Sequence, residues 1–173
     1  MKVILLMVIL GVLAVGGFLV FSSSNPKTEP IALPTSTVAI SEAADIKVSF
    51  AIFTNGTFRA FSASMYHNRS ADVFIDSSNP NIVNVKKTNI AWNDFFSTLP
   101  FKLTKECLTT GSRETFCTDS AKSLKFYLNG QLDTDALDRT IKEGDKLLVS
   151  FGAKNDPAVE NQIKQIPASR PLP

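Results

Sequence analysis

The chain contains few of the residues that build metal and nucleotide sites. Its 173 residues include two cysteines, one histidine and eight glycines. A structural zinc site takes four Cys or His side chains, which is more than this chain has. The glycines form no phosphate-binding loop, since the only adjacent pair, Gly16-Gly17, lies within an apolar run. These shortages argue against a zinc site and against a nucleotide-phosphate site.

The net charge of the chain is also low. Lys and Arg number 18 and Asp and Glu number 16, which leaves +2 at pH 7. Because positive and negative residues are almost equal in number, the chain has no strong electrostatic field that would attract nucleic acid. Nucleic acid is therefore not an expected partner. The composition, 44% hydrophobic, instead predicts one ordinary domain with an apolar core.

One long uncharged segment, residues 3–21, stands at the N-terminus. As a helix it matches a hydrocarbon core of about 30 Å, at a rise of about 1.5 Å per residue. A cleaved signal peptide is the alternative, but its apolar region usually covers only about 7–15 residues. We therefore predict an uncleaved transmembrane anchor over residues 1–21.

The residues that flank this anchor indicate its orientation. Lys2 and the α-amino group precede the apolar run, whereas Lys27 follows it and is offset by Glu29. This bias predicts a single-pass protein of the cell membrane, with its N-terminus in the cytoplasm and its domain outside. Residues 22–44 carry three prolines and no apolar period, which predicts a flexible linker, and residues 167–173 are predicted to be a disordered tail.

The two cysteines, Cys107 and Cys117, are separated by nine residues. A redox pair would read CxxC, so this spacing does not favour one. An extracytoplasmic domain lies in an oxidising compartment, where cysteines form disulfides. We predict a disulfide between Cys107 and Cys117, with two free thiols as the alternative.

Apolar alternation predicts strands around two Asn-Gly turns, Asn55-Gly56 and Asn129-Gly130, which are typical of type I′ hairpins. A second pair of strands flanks a Ser-Asn-Pro turn cluster, and a last strand follows Glu143-Gly144. The predicted strands are residues 45–53, 57–61, 71–76, 81–87, 123–128 and 145–151.

Two helices complete the predicted fold. Residues 90–99 have the apolar spacing of a short amphipathic helix, with Thr88 or Asn89 as its cap, and a C-terminal helix starts at Asp156-Pro157. The apolar stripe of the second helix is Val159, Ile163 and Ile166. The element order predicts an α+β domain over residues 45–166, in which a mixed sheet of five to six strands is covered on one face by these helices.

The stretch KSLKFYLNGQ, followed by TIKEGDKLLVSFG, resembles the ending of an uncharacterised family of small prokaryotic proteins with an N-terminal membrane anchor. The similarity extends from Asp45 to Ile166 and includes the CL...FC segment and the aromatic pair Phe95-Phe96. The ending also resembles a β-grasp module, in which a sheet curls around one helix. The resemblance implies a β-grasp-like extracytoplasmic domain, and it supplies no activity.

The chain departs from that family at its histidines. Family members begin the domain with an HxHxDF-like strand and carry further histidines in the second strand pair. The corresponding positions here are Asp45, Lys47, Ser49, Phe74, Asp76, Asn84 and Lys86. These groups do not hold a soft or borderline metal, so we predict no metal and no cofactor. The alternative is a metal- or small-ligand-binding module that uses the carboxylates Asp45, Asp76 and Asp133.

The only histidine, His67, is the one candidate general base. A hydrolase would need Ser64 or Ser70 as the nucleophile and an acid that orients the imidazole, and the spacing predicts no such convergence. A hydrolase is therefore an alternative that we do not favour, and we predict no catalytic residues.

Three aspartates in LDTDALD, Asp133, Asp135 and Asp138, resemble the start of a calcium loop. The sixth position of such a loop is Gly and the twelfth is Glu, whereas this chain has Asp138 and Gly144 there. A solvated turn capped by aspartates is the preferred interpretation.

Two sequons, at Asn55 and Asn68, are possible glycosylation sites, and Asn68 is the better one because Asn55 already belongs to a turn.

Four aromatic residues lie opposite the main apolar stripes, where they complete a core or form a patch that binds a partner: Phe53, Phe61, Phe74 and Tyr127. The sequence as a whole predicts a non-catalytic binding or assembly module of the cell envelope, such as an accessory subunit, with a protein partner there.

Overall fold

The computed structural model describes residues 42–169. The predicted anchor, nearly all of the predicted linker and the end of the predicted tail lie outside these residues. Within residues 42–169, no helix is long and apolar enough to cross a membrane.

The domain is α+β, as predicted, and has two sheets and two short helices. The larger sheet is mixed, as predicted, but has seven strands where five to six were predicted. The smaller sheet, which the sequence did not predict, has three. The strands are β1 (Ala43–Thr54), β2 (Thr57–Phe58), β3 (Val73–Ile75), β4 (Ile82–Lys87), β5 (Lys102–Leu103), β6 (Cys107–Thr109), β7 (Thr115–Cys117), β8 (Lys122–Leu128), β9 (Gln131–Leu132) and β10 (Lys146–Ala153). The helices are α1 (Trp92–Ser97) and α2 (Val159–Lys164).

The larger sheet has the strand order β3-β4-β1-β10-β8-β9, and β2 pairs with the end of β1. Its central pair, β1 and β10, is parallel, and the other pairs are antiparallel. The smaller sheet has the order β5-β6-β7. Its apolar side chains Leu103, Leu108 and Phe116 belong to the main core, so the small sheet closes over one face of the large one.

Both predicted Asn-Gly turns are present. Asn55 and Gly56 have φ values of 50° and 79°, and Asn129 and Gly130 have 55° and 84°, as type I′ turns require. The strand after the first turn ends at Phe58, so the predicted strand 57–61 is too long. The reason lies in a different part of the chain.

The strand β2 cannot continue along β1 because another segment already occupies that edge. The N–H of Arg59 donates to the carbonyl of Ile52 at 2.8 Å, which is the last contact of this hairpin. The N–H of Phe50 donates instead to the carbonyl of Asn81 at 3.1 Å, and Ser49 pairs with Ile82 at the start of β4. The chain therefore leaves the sheet after Arg59.

The helices cover opposite faces of the larger sheet, which corrects the prediction that both cover one face. Val48, Phe50 and Ile52 of β1 belong to the main core cluster with Trp92, Phe95 and Phe96 of α1. Ala51 and Phe53 belong to a second cluster with Leu148 of β10 and Val159 of α2. Because neighbouring residues of a strand point to opposite faces, the apolar run Phe50–Phe53 needs cover on both sides.

The N-terminus of α1 lies later than predicted. Its cap is Ala91, whose N–H donates to the carboxylate of Asp94 at 2.8 Å. Neither predicted cap residue has that role: Thr88 accepts the N–H of Glu42 at 2.8 Å, and Asn89 has a φ of 62° that belongs to a turn. This hydrogen bond is the half of a capping box that the third helical residue supplies, while alanine has no side-chain oxygen to supply the other half.

The second helix packs on the sheet as predicted. Val159 and Ile166 are buried and Ile163 is partly buried in the cluster beneath α2. The helix begins at Val159 and not at the predicted Asp156-Pro157, because these two residues form a turn in which the carboxylate of Asp156 accepts the N–H of Ala158 at 2.9 Å. Gln162 lies on the same side, only 3% exposed, and neither atom of its amide has a hydrogen-bond partner within residues 42–169.

Replacing Gln162 by leucine should stabilise the domain. A buried amide without partners carries a desolvation cost of about 1–3 kcal/mol, and leucine fills a similar volume without it. We expect the free energy of unfolding to rise by about 1 kcal/mol, as measured by urea titration of Trp92 fluorescence. The control is Gln165→Leu, at an exposed position of the same helical segment, which should change little. A loss of stability in Gln162→Leu would mean that the amide has a partner.

Candidate functional site

The predicted disulfide between Cys107 and Cys117 is confirmed. The two cysteines face each other across β6 and β7, with their Cα atoms 4.1 Å apart. The carbonyl of Glu106 accepts the N–H of Thr118 at 2.8 Å, so the cysteines occupy a non-hydrogen-bonded pair, where opposed side chains come closest. The disulfide therefore fastens the two strands of one hairpin together.

The tip of this hairpin lies against another part of the chain. The N–H of Thr110 donates to the carbonyl of Glu114 at 2.8 Å, and Arg113 has a φ of 67°. At Gly111, an added Cβ would lie 3.2 Å from the carbonyl oxygen of Pro100 and 3.7 Å from Cε of Met65. A side chain at position 111 would therefore crowd the contact between the hairpin tip and Pro100.

A cleft of about 590 Å³ opens between the hairpin tip, the end of β2 and the 3₁₀ turn Ser64–Tyr66. This volume is in the range of small-ligand and side-chain pockets. We call it the aromatic cleft. Its lining residues are Ile52, Thr57, Phe58, Arg59, Ala60, Phe61, Met65, Tyr66, Phe101, Leu108, Thr110, Gly111 and Ser112.

The aromatic rings of the cleft are continuous with the core. The ring of Phe61 is buried and lies 5.0 Å from Phe50, 5.1 Å from Tyr66 and 5.9 Å from Phe101, measured between centroids. By contrast, Phe58 is 40% exposed and Met65 is 48% exposed. The cleft thus combines a fixed aromatic floor with exposed apolar side chains at its edge.

Arg59 joins the two hairpins that form the cleft walls. Its Nε donates to Oγ1 of Thr54 at 2.5 Å, and its Nη2 lies 3.4 Å from a carboxylate oxygen of Glu114. Its guanidinium also lies 5.1 Å from the centroid of the Phe116 ring, within cation–π distance. One side chain therefore connects the β1–β2 hairpin with the disulfide hairpin.

His67 is hydrogen-bonded to the backbone. Its Nε2 lies 2.9 Å from the carbonyl oxygen of Phe61, so this nitrogen is the donor. Ser70 Oγ accepts the N–H groups of Asp72 and Val73 at 3.1 and 3.4 Å. Within residues 42–169, the hydroxyls of Ser64 and Ser70 make no hydrogen bond to the imidazole. The observed contact closes the loop that carries Met65 and Tyr66.

The positions that the resemblance aligns with histidines do come together on one face of the sheet. Lys47 faces Asn84 across β1 and β4, and Asn84 faces Phe74 of β3. Asp45 forms an ion pair with Lys86 next to them. Of the two cations at these positions, Lys47 and Lys86, Lys86 is already matched by a carboxylate.

The three carboxylates of the ligand-binding alternative do not come together. Asp45 belongs to β1, Asp76 follows β3 at one edge of the larger sheet, and Asp133 follows β9 at the other edge. Hydrogen bonds from the Ser78 hydroxyl and from the backbone hold the pKa of Asp76 below its usual range, against a smaller opposite effect of burial. Within the described residues, no group of three His, Cys, Asp or Glu side chains could hold a metal ion.

The aspartates of LDTDALD are matched by two cations. Lys105 Nζ lies 2.6 Å from Asp135 and 2.7 Å from Asp138, and these hydrogen bonds raise the pKa of Lys105. Arg139 Nε donates to Asp133 at 2.9 Å and lowers the pKa of Asp133. The carboxylates thus serve to fix the turn after β9.

Other predicted surface residues are placed as follows. Asn55 and Asn68 are both exposed, and Oδ1 of Asn55 accepts a hydrogen bond from Lys122 at 2.9 Å, so Asn68 remains the better predicted glycosylation site. Phe53 and Phe61 are buried, in agreement with the prediction that these aromatic residues complete a core and not with the alternative of a patch. The other two members, Phe74 and Tyr127, are half-buried.

Sequence reasoning missed Met65, Tyr66 and Phe101 because they belong to no periodic segment, and it placed Phe58 in the predicted strand 57–61 without assigning it to a site. The available signal was the pair Met65-Tyr66, which stands within the polar stretch SASMYHNRS.

No protein-family model, curated protein or solved structure matches the chain.

Proposed function

We propose that the protein is a non-catalytic, membrane-anchored binding or assembly module of the cell envelope, acting as an accessory subunit. Its N-terminus lies in the cytoplasm, a single helix over residues 3–21 spans the membrane, and its domain lies outside. The uncharged N-terminal run supports the anchor. The disulfide supports an oxidising compartment for the domain, because reducing compartments keep such thiols free.

The domain is β-grasp-like in this proposal. Support comes from the order β4-β1-β10-β8-β9, the parallel central pair and the position of α1 between β4 and β8 in the chain. In a β-grasp fold the last strand of the sheet pairs with the first strand, as β10 pairs with β1 here. This pairing agrees with the predicted ending of the domain.

The aromatic cleft is the observation that carries the proposed binding function. Within residues 42–169, three large hydrophobic side chains are strongly exposed, and two of them, Phe58 and Met65, line this cleft. Exposed apolar side chains that cluster beside a concave surface mark interaction sites. Methionine adapts its shape to a partner at little energetic cost, which suits an assembly surface.

A pull-down from intact membranes tests this function. Cells that express the tagged full chain are treated with a chemical crosslinker, and the proteins that co-purify are identified. We expect one envelope protein with the wild type, and about ten-fold less of it with Met65→Glu, because a buried carboxylate without a partner opposes association.

The matched control is Leu132→Glu, which changes the third exposed hydrophobic residue, outside the cleft. It should recover as much partner as the wild type. Trp92 fluorescence should be the same in all three proteins, which establishes that they are folded. Equal recovery with Met65→Glu would contradict the proposed role of the cleft.

A further inference from the structure

The charges around the aromatic cleft are mostly positive. Arg59 lines the cleft, and Arg113 and Lys102 are the chain neighbours of the lining residues Ser112 and Phe101. Neither the lining residues nor their immediate chain neighbours include a carboxylate. The nearest carboxylates along the chain are Glu106 and Glu114, each two residues from a lining residue, and Glu114 faces the guanidinium of Arg59 at 3.4 Å.

Arg113 is the cation at the hairpin tip that is available to a partner. It stands at the exposed tip of the disulfide hairpin, next to Ser112 of the cleft wall. Within residues 42–169, no carboxylate forms an ion pair with its guanidinium. Its backbone is held by the hydrogen bond from its N–H to the carbonyl of Thr110 at 2.9 Å. A positive group is thus presented beside an apolar cleft.

The open shape of the cleft favours a peptide over a lipid. Phe58 is 40% exposed and Met65 is 48% exposed, so the cleft is open to solvent along its edge. A molecule bound there would bury one of its sides against the protein and leave its other side in water. An acyl chain in that position would keep apolar surface in water, which costs free energy in proportion to area. A peptide can insert one side chain and keep its polar backbone toward water and toward hydroxyls such as Thr110 and Ser112.

We propose that the cleft binds an extended segment of the partner protein in which an aromatic or large aliphatic residue stands beside one or more carboxylates. The inference rests on the proposed binding function and specifies its ligand. The apolar side chain packs among Met65, Tyr66 and Phe101. The carboxylates pair with Arg113, and such pairing gives selectivity and faster association more than it gives affinity.

Peptide selection tests this inference without knowledge of the partner. A random heptapeptide phage library is first depleted on the Met65→Glu chain and then selected on the wild-type full chain, both in nanodiscs of neutral phosphatidylcholine. We expect recovered peptides to be enriched in Asp or Glu beside an aromatic residue or leucine. Exchanging Glu for Gln in a resynthesised peptide should weaken its binding about two- to five-fold at low salt, and high salt should remove the difference.

Charge reversal provides the sharper comparison. Selection on Arg113→Glu should lose the acidic preference and gain Lys or Arg, whereas Lys164→Glu, the same charge change on exposed α2 across the sheet, should keep the wild-type preference. Peptides that require Met65 but show no acidic preference would overturn the inference and leave the binding function in place. If peptides selected from the undepleted library all bind Met65→Glu as well as the wild type, or if the selection gives no enrichment, both the inference and the binding function are contradicted.

Discussion

Replacing Phe50 by alanine should lower the free energy of unfolding by about 3–5 kcal/mol, which is a large part of the stability of an ordinary domain. Phe50 is fully buried in the centre of β1. Its ring contacts those of Phe61, Phe95 and Phe96 at centroid distances of 5.0, 5.3 and 5.8 Å. The change removes the ring of Phe50 and leaves a cavity between β1, the loop that carries Phe61 and helix α1. All three ring contacts of Phe50 are lost at once.

Trp92 provides the measurement for this variant. It is the only tryptophan, and it is fully buried, so its fluorescence shifts when the domain unfolds. Urea titration of the full chain in detergent micelles gives the free energy of unfolding. The matched control is Phe58→Ala, which removes the same ring from an exposed position and should cost less than about 1 kcal/mol. Equal losses for the two variants would contradict the core described above.

Removing the disulfide should have the second largest effect. Exchanging Cys107 and Cys117 for serine releases a short loop in the unfolded chain, which costs about 2.5–3 kcal/mol in the chain-entropy model. The same hairpin supplies Leu108, Thr110 and Ser112 to the wall of the aromatic cleft. We therefore expect the variant to lose both stability and affinity for peptides that bind the cleft.

Two measurements check this expectation. Urea titration, followed by Trp92 fluorescence, compares the double serine variant with the oxidised wild type. In intact cells, a thiol-reactive maleimide should label wild-type Cys107 and Cys117 only after reduction, as the proposed extracytoplasmic location requires. Labelling without reduction would contradict that location. A serine variant as stable as the wild type would contradict the stabilising role of the bridge.

The parts of the fold that depend on local geometry could be predicted from the sequence. Asn-Gly pairs tolerate the positive φ values of a type I′ turn, so both hairpins were identified correctly. The length of β2 could not be predicted, because it depends on Asn81, which lies 31 residues after Phe50 in the chain. The carbonyl of Asn81 accepts the N–H of Phe50, so β2 cannot extend along that edge. Local patterns contain no information about such competition for a strand edge.

The candidate site was harder to predict than the fold. The disulfide could be predicted from residue spacing and the inferred compartment, but the aromatic cleft combines Phe58, Met65, Phe101 and Ser112, which come from four separate segments. Met65, Phe101 and Ser112 belong to no apolar period, and Phe58 ends a strand that is shorter than its pattern predicts. The two faces of β1 are a different case, because the continuous apolar run Phe50–Phe53 already contained the evidence for cover on both sides.

Site-specific photocrosslinking in intact cells tests the central claim most directly. The photoreactive amino acid p-benzoylphenylalanine replaces either Met65, in the aromatic cleft, or Leu132, which is 60% exposed outside that cleft. After irradiation, the account predicts one discrete crosslinked protein from position 65 and none from position 132. Crosslinks to the same protein from position 132, with none from position 65, would contradict the account.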